Sequence, residues 1–505
     1  MKKLLLLFLL FLSVKTFSQQ VNGVIVSDTG NIIVVKVWGT HYERGFATGY
    51  LLAEHIVDIY VNYIKPAFGS LLPTAKTVIQ QGIHIRIDSV YHVEAQGVYD
   101  GVDSAGYSAS GMDYIDVLVA NAFLDLQGLY MFKEVKLKMG CSSLMDWGTA
   151  TAGTDLDGKS VIARHLDWSN VAAVVNNQAV IIHFPSETDE QPWAMIGFAG
   201  QMSALSGINN DGLGVFQHMM SDFSGTALMN MGYEPVWFSM RKALEKKDFN
   251  NDGLHDMSDI KDAIAANANG YADGYIITAL APSATGFDSL TAMVAEVAPS
   301  APLITFRTNT YPDSIPDDNL YAANYEIKRN NHLHFCSRYY RTKNGLSDGT
   351  FISSADNWQI MRDSSNSGTG NIQFMQFIPE WRQLKLSVYK SSLPAYLYSP
   401  GIYYLDDLFN NTVIITGSDD ENIFQVFPNP ASDKIFVKVD LAKHTHVNVS
   451  LYSISGNKHI QFVDEIIPPG DNIYSIDVSK LLNGIYICHI SYDNINEEMK
   501  LLISH

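Results

Sequence analysis

The chain of 505 residues holds three cysteines: Cys141, Cys336 and Cys488. So few cannot staple a fold, and an odd number leaves at least one thiol free. Cys141 has the most suggestive neighbours. Gly140 precedes it, Ser142-Ser143-Leu144 follows, and Arg164 and Asp167 lie on the next apolar run. An arginine can stabilise a thiolate, and a carboxylate can orient the groups that trade protons with it. The bland alternatives are a cysteine packed as a small hydrophobe and an Arg–Asp pair on the surface.

The wider stretch reads GCSSLMDWGTATAGTDLDGKSVIARHLDW. It resembles the start of the mature subunit in N-terminal-nucleophile cysteine hydrolases. The isopenicillin N acyltransferase-like peptidases look nearest, and choloylglycine hydrolases and acid ceramidase more distant. Four further segments fall in the family's order. Trp38-Gly39-Thr40 with Tyr42-Glu43-Arg44-Gly45 and Gly49 resembles the propeptide. Gly207 to Leu213 resembles the Gly-x-Asn-x-x-Gly-Leu hairpin. Ala323-Asn324-Tyr325 and Cys336-Ser337-Arg338-Tyr339 resemble the segments that hold an active-site Asn and Arg. The likeness spans roughly residues 35–400. A second Asn that the choloylglycine branch carries after Gly-Leu is absent, since this stretch reads Val215-Phe216-Gln217-His218.

The resemblance implies chemistry. Self-cleavage between Gly140 and Cys141 would free an α-amine beside the thiol. Such an amine titrates near ~8, so it can serve as base and then acid. Gly140 suits the cut because it tolerates strained backbone and leaves room for sulfur. By position, Asp167 would orient the amine or thiol, and Arg164 would stabilise the thiolate or the leaving group. Asn324 would donate to the oxyanion, and Arg338 would brace Asp167 or Arg164 or face the substrate. No cofactor is implied for catalysis. The expected reaction is hydrolysis of a linear, non-peptide amide of a small acyl substrate. An acyltransferase would use the same residues. A surface-attached calcium-binding protein with an inactive hydrolase fold is the alternative from another class.

A second signal runs from residue 248 to 259. Asp248, Asn250, Asp252, Asp256 and Asp259 occupy positions 1, 3, 5, 9 and 12 of an EF-hand spacing, with Gly253 at 6 and the Leu254 carbonyl at 7. The segment resembles dockerin-type calcium loops and predicts a structural calcium ion. A solvated acidic turn is its plain alternative.

These residues need elements to position them. Apolar runs at Val24-Ile25-Val26 and Ile32 to Val37 predict strands over 21–40, then a helix over 43–64 whose Gly45 and Gly49 make a close-packing face. A helix is predicted over 113–138. Strands are predicted at 141–147 and 160–167, joined through an Asp157-Gly158 turn. Others follow at 179–184, 194–198 and 213–217, with Asn210-Asp211-Gly212 as a tight turn. Helices over 235–247 and 258–268 precede strands at 274–280, 291–297 and 303–307. The succession reads as α+β, and the family likeness implies the four-layer αββα arrangement.

The ends of the chain speak to location. Met1-Lys2-Lys3, the apolar run Leu4–Leu12 and Thr16-Phe17-Ser18 read as a signal peptide over 1–18. No later run is long and apolar enough for a membrane helix. Residues 19–140 are then a propeptide or small chain, 141–415 the hydrolase domain and 416–424 a polar linker. Residues 425–505 alternate like a small antiparallel β-sandwich. Phe427-Pro428-Asn429-Pro430 and Asn483-Gly484-Ile485-Tyr486 resemble the C-terminal sorting domain of type IX secretion substrates. That implies the type IX machinery as partner and a product that is secreted or held at the outer surface. The net charge of -19 opposes nucleic-acid binding.

Overall fold

A computed structural model describes residues 20–505 except 30–31, 134, 136–139, 221–224, 284–289, 317, 331–335, 365–369, 391, 411–423, 442–443, 454–457, 469 and 493–494. The signal-peptide reading and nearly all of the 416–424 linker lie outside the described residues.

Two sheets form the centre. The larger has nine strands, and the strand pair Gly23–Thr29 and Ile32–Gly39 enters it at one edge. Ile32–Gly39 pairs in parallel with Gln178–Pro185. The smaller sheet has six strands in the order Asn319–Ala322, Gly140–Asp146, Val161–Asp167, Asn371–Ile378, Gln383–Val388, Gly401–Tyr404. One face of each sheet packs on the other through Met145, Ile162, Val180, Ile208, Phe216 and Phe377. The outer face of the larger sheet lies under helices that include His41–Leu51, Ser89–Val102 and Val236–Glu245. The outer face of the smaller one is covered from Ser337–Leu346 and Ser354–Ser364. The layers are therefore α, β, β, α, the arrangement that the family likeness implies.

The expected helix over 113–138 is three shorter pieces, Tyr114–Asn121, Phe123–Gly128 and the 3-10 turn Tyr130–Phe132. Asp113 starts the first with a capping box that includes Asp116. Helix Ser89–Val102, which periodicity did not single out, crosses His41–Leu51 at close range. A Cβ on Gly49 would lie 2.0 Å from the Val98 carbonyl oxygen, and one on Gly45 2.2 Å from that of Glu94. The Asp157-Gly158 turn exists, with both residues at positive φ. It ends a longer loop between the strands rather than forming a two-residue hairpin.

Residues 424–503 form a separate antiparallel unit of a three-stranded and a four-stranded sheet. Ile435, Val437, Val439, Val447, Val449 and Leu451 fill its core, the alternation predicting this directly. Among the described residues no helix is long and apolar enough to cross a membrane.

Candidate functional site around Cys141

Cys141 is the second residue of its strand and is fully buried. Pairing with Val161–Asp167 puts Gly140 opposite Asp167 and Ser143 opposite Arg164. On the other side the strand pairs with Asn319–Ala322, with Ala322 opposite Ser143. The chain leaving that strand brings Asn324 to Cys141. Helix Ser337–Leu346 then delivers Arg338 from its first turn. Its N-cap is Cys336, whose sulfur accepts from the Tyr339 amide, which gives this second cysteine a structural role.

All five expected residues converge. The Cys141 amide donates to Asn324 Oδ1 at 3.0 Å. Arg338 donates from Nη1 to the Cys141 carbonyl at 2.9 Å and from Nη2 to Asn324 Oδ1 at 2.7 Å. It also pairs with Asp167 Oδ2 at 3.6 Å. Arg164 Nη2 reaches Cys141 Sγ at 3.9 Å and the Gln217 carbonyl at 2.8 Å. Asn324 donates from Nδ2 to the Met219 carbonyl at 2.6 Å, which leaves one further N–H on that nitrogen for an oxyanion.

The electrostatics are telling. Burial holds the Cys141 thiol above its usual value; Arg164, Arg338 and a hydrogen bond from the Asp167 backbone pull it down, while the Asp167 charge pushes it up. Burial also lowers Arg164. Among the described residues Arg164 Nε and Nη1 have no hydrogen-bond partner. A buried guanidinium left short of acceptors favours an anion beside it, and the nearby sulfur can become one.

Gln217 and His218 fill the stretch where a second Asn is missing. Gln217 offers its carbonyl to Arg164, while its side-chain oxygen accepts from Trp237 Nε1. His218 Nε2 lies 3.0 Å from Ser143 Oγ, and burial with Arg164 and Arg338 nearby keeps it neutral. His165 faces away from the thiol and bonds the Met361 carbonyl, as its alternation on the strand implies. Asn371, opposite Asp167 on the neighbouring strand, donates to Asp167 Oδ1 at 3.0 Å. No motif marked it.

An apolar cavity of about 690 Å³, counting its opening to solvent, lies against Trp168. Upstream helices supply Ile56, Tyr63 and Phe123, and the later chain supplies Trp168, Phe198 and Trp237. Trp168 directly follows Asp167, and its indole N–H donates to Tyr63. A buried ionic network also ties residues before Cys141 to residues after it. His41 bonds Glu94 and Glu190, Arg44 bonds Glu187 and Glu190, and Arg241 bonds Glu94 and Glu245.

The 248–259 segment joins helices Val236–Glu245 and Met257–Ala265. Asp248 accepts the amides of Asp252 and Gly253, and Asn250 also accepts from Asp252. Asp252 accepts from Leu254. Asp256 caps the following helix, and Asp259 bonds the Phe249 amide. These acids do not bring three ligand atoms within 4.8 Å of one another. The group among the described residues that does, His41, Glu190 and Glu245, is engaged by the arginines above.

Comparison with known proteins adds the following. The protein dcd1B of Dictyostelium discoideum is 25% identical over 234 residues, 43% of this chain and 43% of that protein, so the chain spans under half of that relative. A solved Caenorhabditis elegans ortholog of N-acylethanolamine-hydrolyzing acid amidase aligns at 14% identity, covering 52% of this chain and 100% of that one, with a TM-score of 0.34. A mutant conjugated bile acid hydrolase from Clostridium perfringens aligns at 12% identity over 53% of this chain and 93% of that one, with a TM-score of 0.30. Residues 425–504 match the family model of the secretion system C-terminal sorting domain. The C-terminal unit is thus a secretion sorting domain, borne behind a four-layer αββα domain, and it marks the chain for export.

Proposed function

We propose that the chain is an exported amide hydrolase that cuts its own Gly140–Cys141 bond and then uses Cys141 as an N-terminal nucleophile. The observation that carries this is the grip on one residue. The Cys141 nitrogen is held by Asn324, its carbonyl by Arg338 and its sulfur by Arg164. A cysteine serving only as core filler needs none of these.

In maturation Sγ attacks the Gly140 carbonyl carbon, and the C–N bond breaks as the Cys141 nitrogen gains a proton. That step frees the α-amine, and water then hydrolyses the Gly140 thioester to release the Gly140 carboxylate and the Cys141 thiol. In turnover that amine takes the thiol proton as Sγ attacks the substrate amide, and it returns a proton to the leaving amine; water then hydrolyses the acyl thioester, releasing the acid and restoring the thiol. Arg164 stabilises the thiolate. The free N–H of Asn324 serves the tetrahedral oxyanion, a contact worth ~3–4 kcal/mol in other hydrolases. Asp167 and Arg338 fix the amine. The cavity beside Trp168 supports an apolar acyl group, since its walls carry few polar atoms. Because upstream helices line it, residues 19–140 stay on the enzyme as its small chain.

Intact mass of the purified protein tests this reading. Wild type gives two chains, the larger starting at Cys141, and Cys141→Ala gives one. A wild type that stays uncut under conditions where it is folded sinks the proposal.

A further inference from the structure

Asp167 ends its strand, and its two oxygens face different groups. Oδ2 looks toward Arg338 and toward Gly140, where an added Cβ would sit 3.2 Å away. Oδ1 accepts from Asn371 Nδ2. The approach of Asn371 depends on a bulge. Asn371 pairs with Asp167 and Gln373 with Leu166, so Ile372 is the extra residue. An unbroken ladder would set Ile372 opposite Asp167 instead. Bulges re-aim side chains in this way beside active sites.

The amide of Asn371 is itself fixed. Its Oδ1 accepts from the Tyr396 amide at 3.1 Å, and its Nδ2 lies 3.0 Å from both His165 Nδ1 and the Gln373 carbonyl. His165 Nε2 is 2.9 Å from the Met361 carbonyl, so that nitrogen carries the proton and Nδ1 accepts. The ring lies flat on Phe374, with centroids 4.3 Å apart. A flipped amide would turn Oδ1 toward a carboxylate and a lone pair at once, so only one orientation is satisfied.

We infer that Asn371, held by Tyr396 and His165, is a positioning residue that locks the Asp167 carboxylate against the Gly140–Cys141 bond. The inference rests on the nucleophile reading above. It gives His165 a role as well: the histidine sets the orientation of the amide without touching the reacting atoms. Asp167 Oδ2 pairs with Arg338, which grips the Cys141 carbonyl and Asn324, so a carboxylate free to rotate loosens that grip and slows the cut.

The test is the rate at which freshly purified single chain becomes two, followed by intact mass, for wild type, Asn371→Leu, Asn371→Ser and Cys141→Ala. Each is assayed below its own melting temperature. Leucine has nearly the shape of asparagine and no donor. Serine is smaller and keeps one. Asn371→Leu is expected to cut about 10²-fold more slowly, the usual cost of a misplaced catalytic group. Asn371→Ser recovers most of the rate although its packing is worse. A leucine variant that cuts as fast as wild type overturns the inference, and so do leucine and serine variants slowed alike, because the loss then follows packing. Cutting in Cys141→Ala, or none in wild type, instead removes the nucleophile reading and the inference with it.

Discussion

Replacing His41 by glutamine removes the one group of the buried network that changes charge near neutral pH. Burial opposes a charged ring there, but the hydrogen bonds to Glu190 and Glu94 outweigh it and raise His41 from 6.5 to about 9. The same contacts, with Arg241, hold Glu94 well below the usual carboxylate range against its burial. A raised histidine contributes stability that is complete below pH 6.5 and fades as pH climbs through 9. At ~1.4 kcal/mol per tenfold, that change is worth about 3 kcal/mol.

Other groups also titrate in this window. Burial lowers Lys36 to about 8, against the pull of Asp407, so the folded protein sheds that proton early and Lys36 adds stability from pH 8 upward. That contribution has the opposite sign, and it is common to both proteins. The quantity to follow is therefore the difference between the protein that keeps His41 and the His41→Gln variant, both in a Cys141→Ala background that keeps the chains joined. Urea unfolding of the αββα domain at intervals from pH 5.5 to 10 gives it. The gap is expected to be widest below pH 6.5 and to shrink by about 3 kcal/mol by pH 10. A gap that is flat with pH would falsify the assignment of a protonated His41 to this network.

Further outcomes follow from other contacts. Asn324→Ala frees the Cys141 nitrogen, and self-cleavage slows by ~10²–10³-fold, read by intact mass; an unchanged rate removes Asn324 from the site. Gly49→Ala drives a methyl into the Val98 carbonyl and costs ~3 kcal/mol or more in urea unfolding, whereas a neutral result would mean the helices part easily. If residues 248–259 take calcium, saturating calcium raises the melting temperature by the equivalent of ~3 kcal/mol at a hundred times Kd, and Asp252→Ala loses the response. Identical melting curves with calcium and with chelator would leave the loop as capping and turn chemistry alone.

Much of this was legible locally. The Asp157-Gly158 turn marked the Cys141 and Asp167 strands on either side of it, and the sorting unit shows its core in Ile435, Val437 and Val439. Gly45 and Gly49 announced a close helix contact. Their partner escaped notice because Ser89–Val102 spends its inward positions on Gly97, Gly101 and Glu94, which read as polar or empty without the opposing helix. The strands from Asn371 onward also escaped, although they complete the smaller sheet.

The candidate set was chosen by motif order, and the geometry explains how that order brings its members together. Cys141, Asp167 and Asn324 each sit at or just past the end of a strand, and the three strands are neighbours in one sheet. Arg338 enters from a helix start across that same edge. Residues gathered at one edge of a sheet can stay in fixed sequence order, since each strand contributes its own end. Asn371 lies at that edge too, but it arrives there through a bulge. A bulge changes which residue faces the site by a single position, and no spacing rule applied to the strand alone distinguishes Asn371 from Ile372. A site residue set by register is visible only once its neighbour strand is in place, so Asn371, rather than any motif residue, is where structure adds most to sequence.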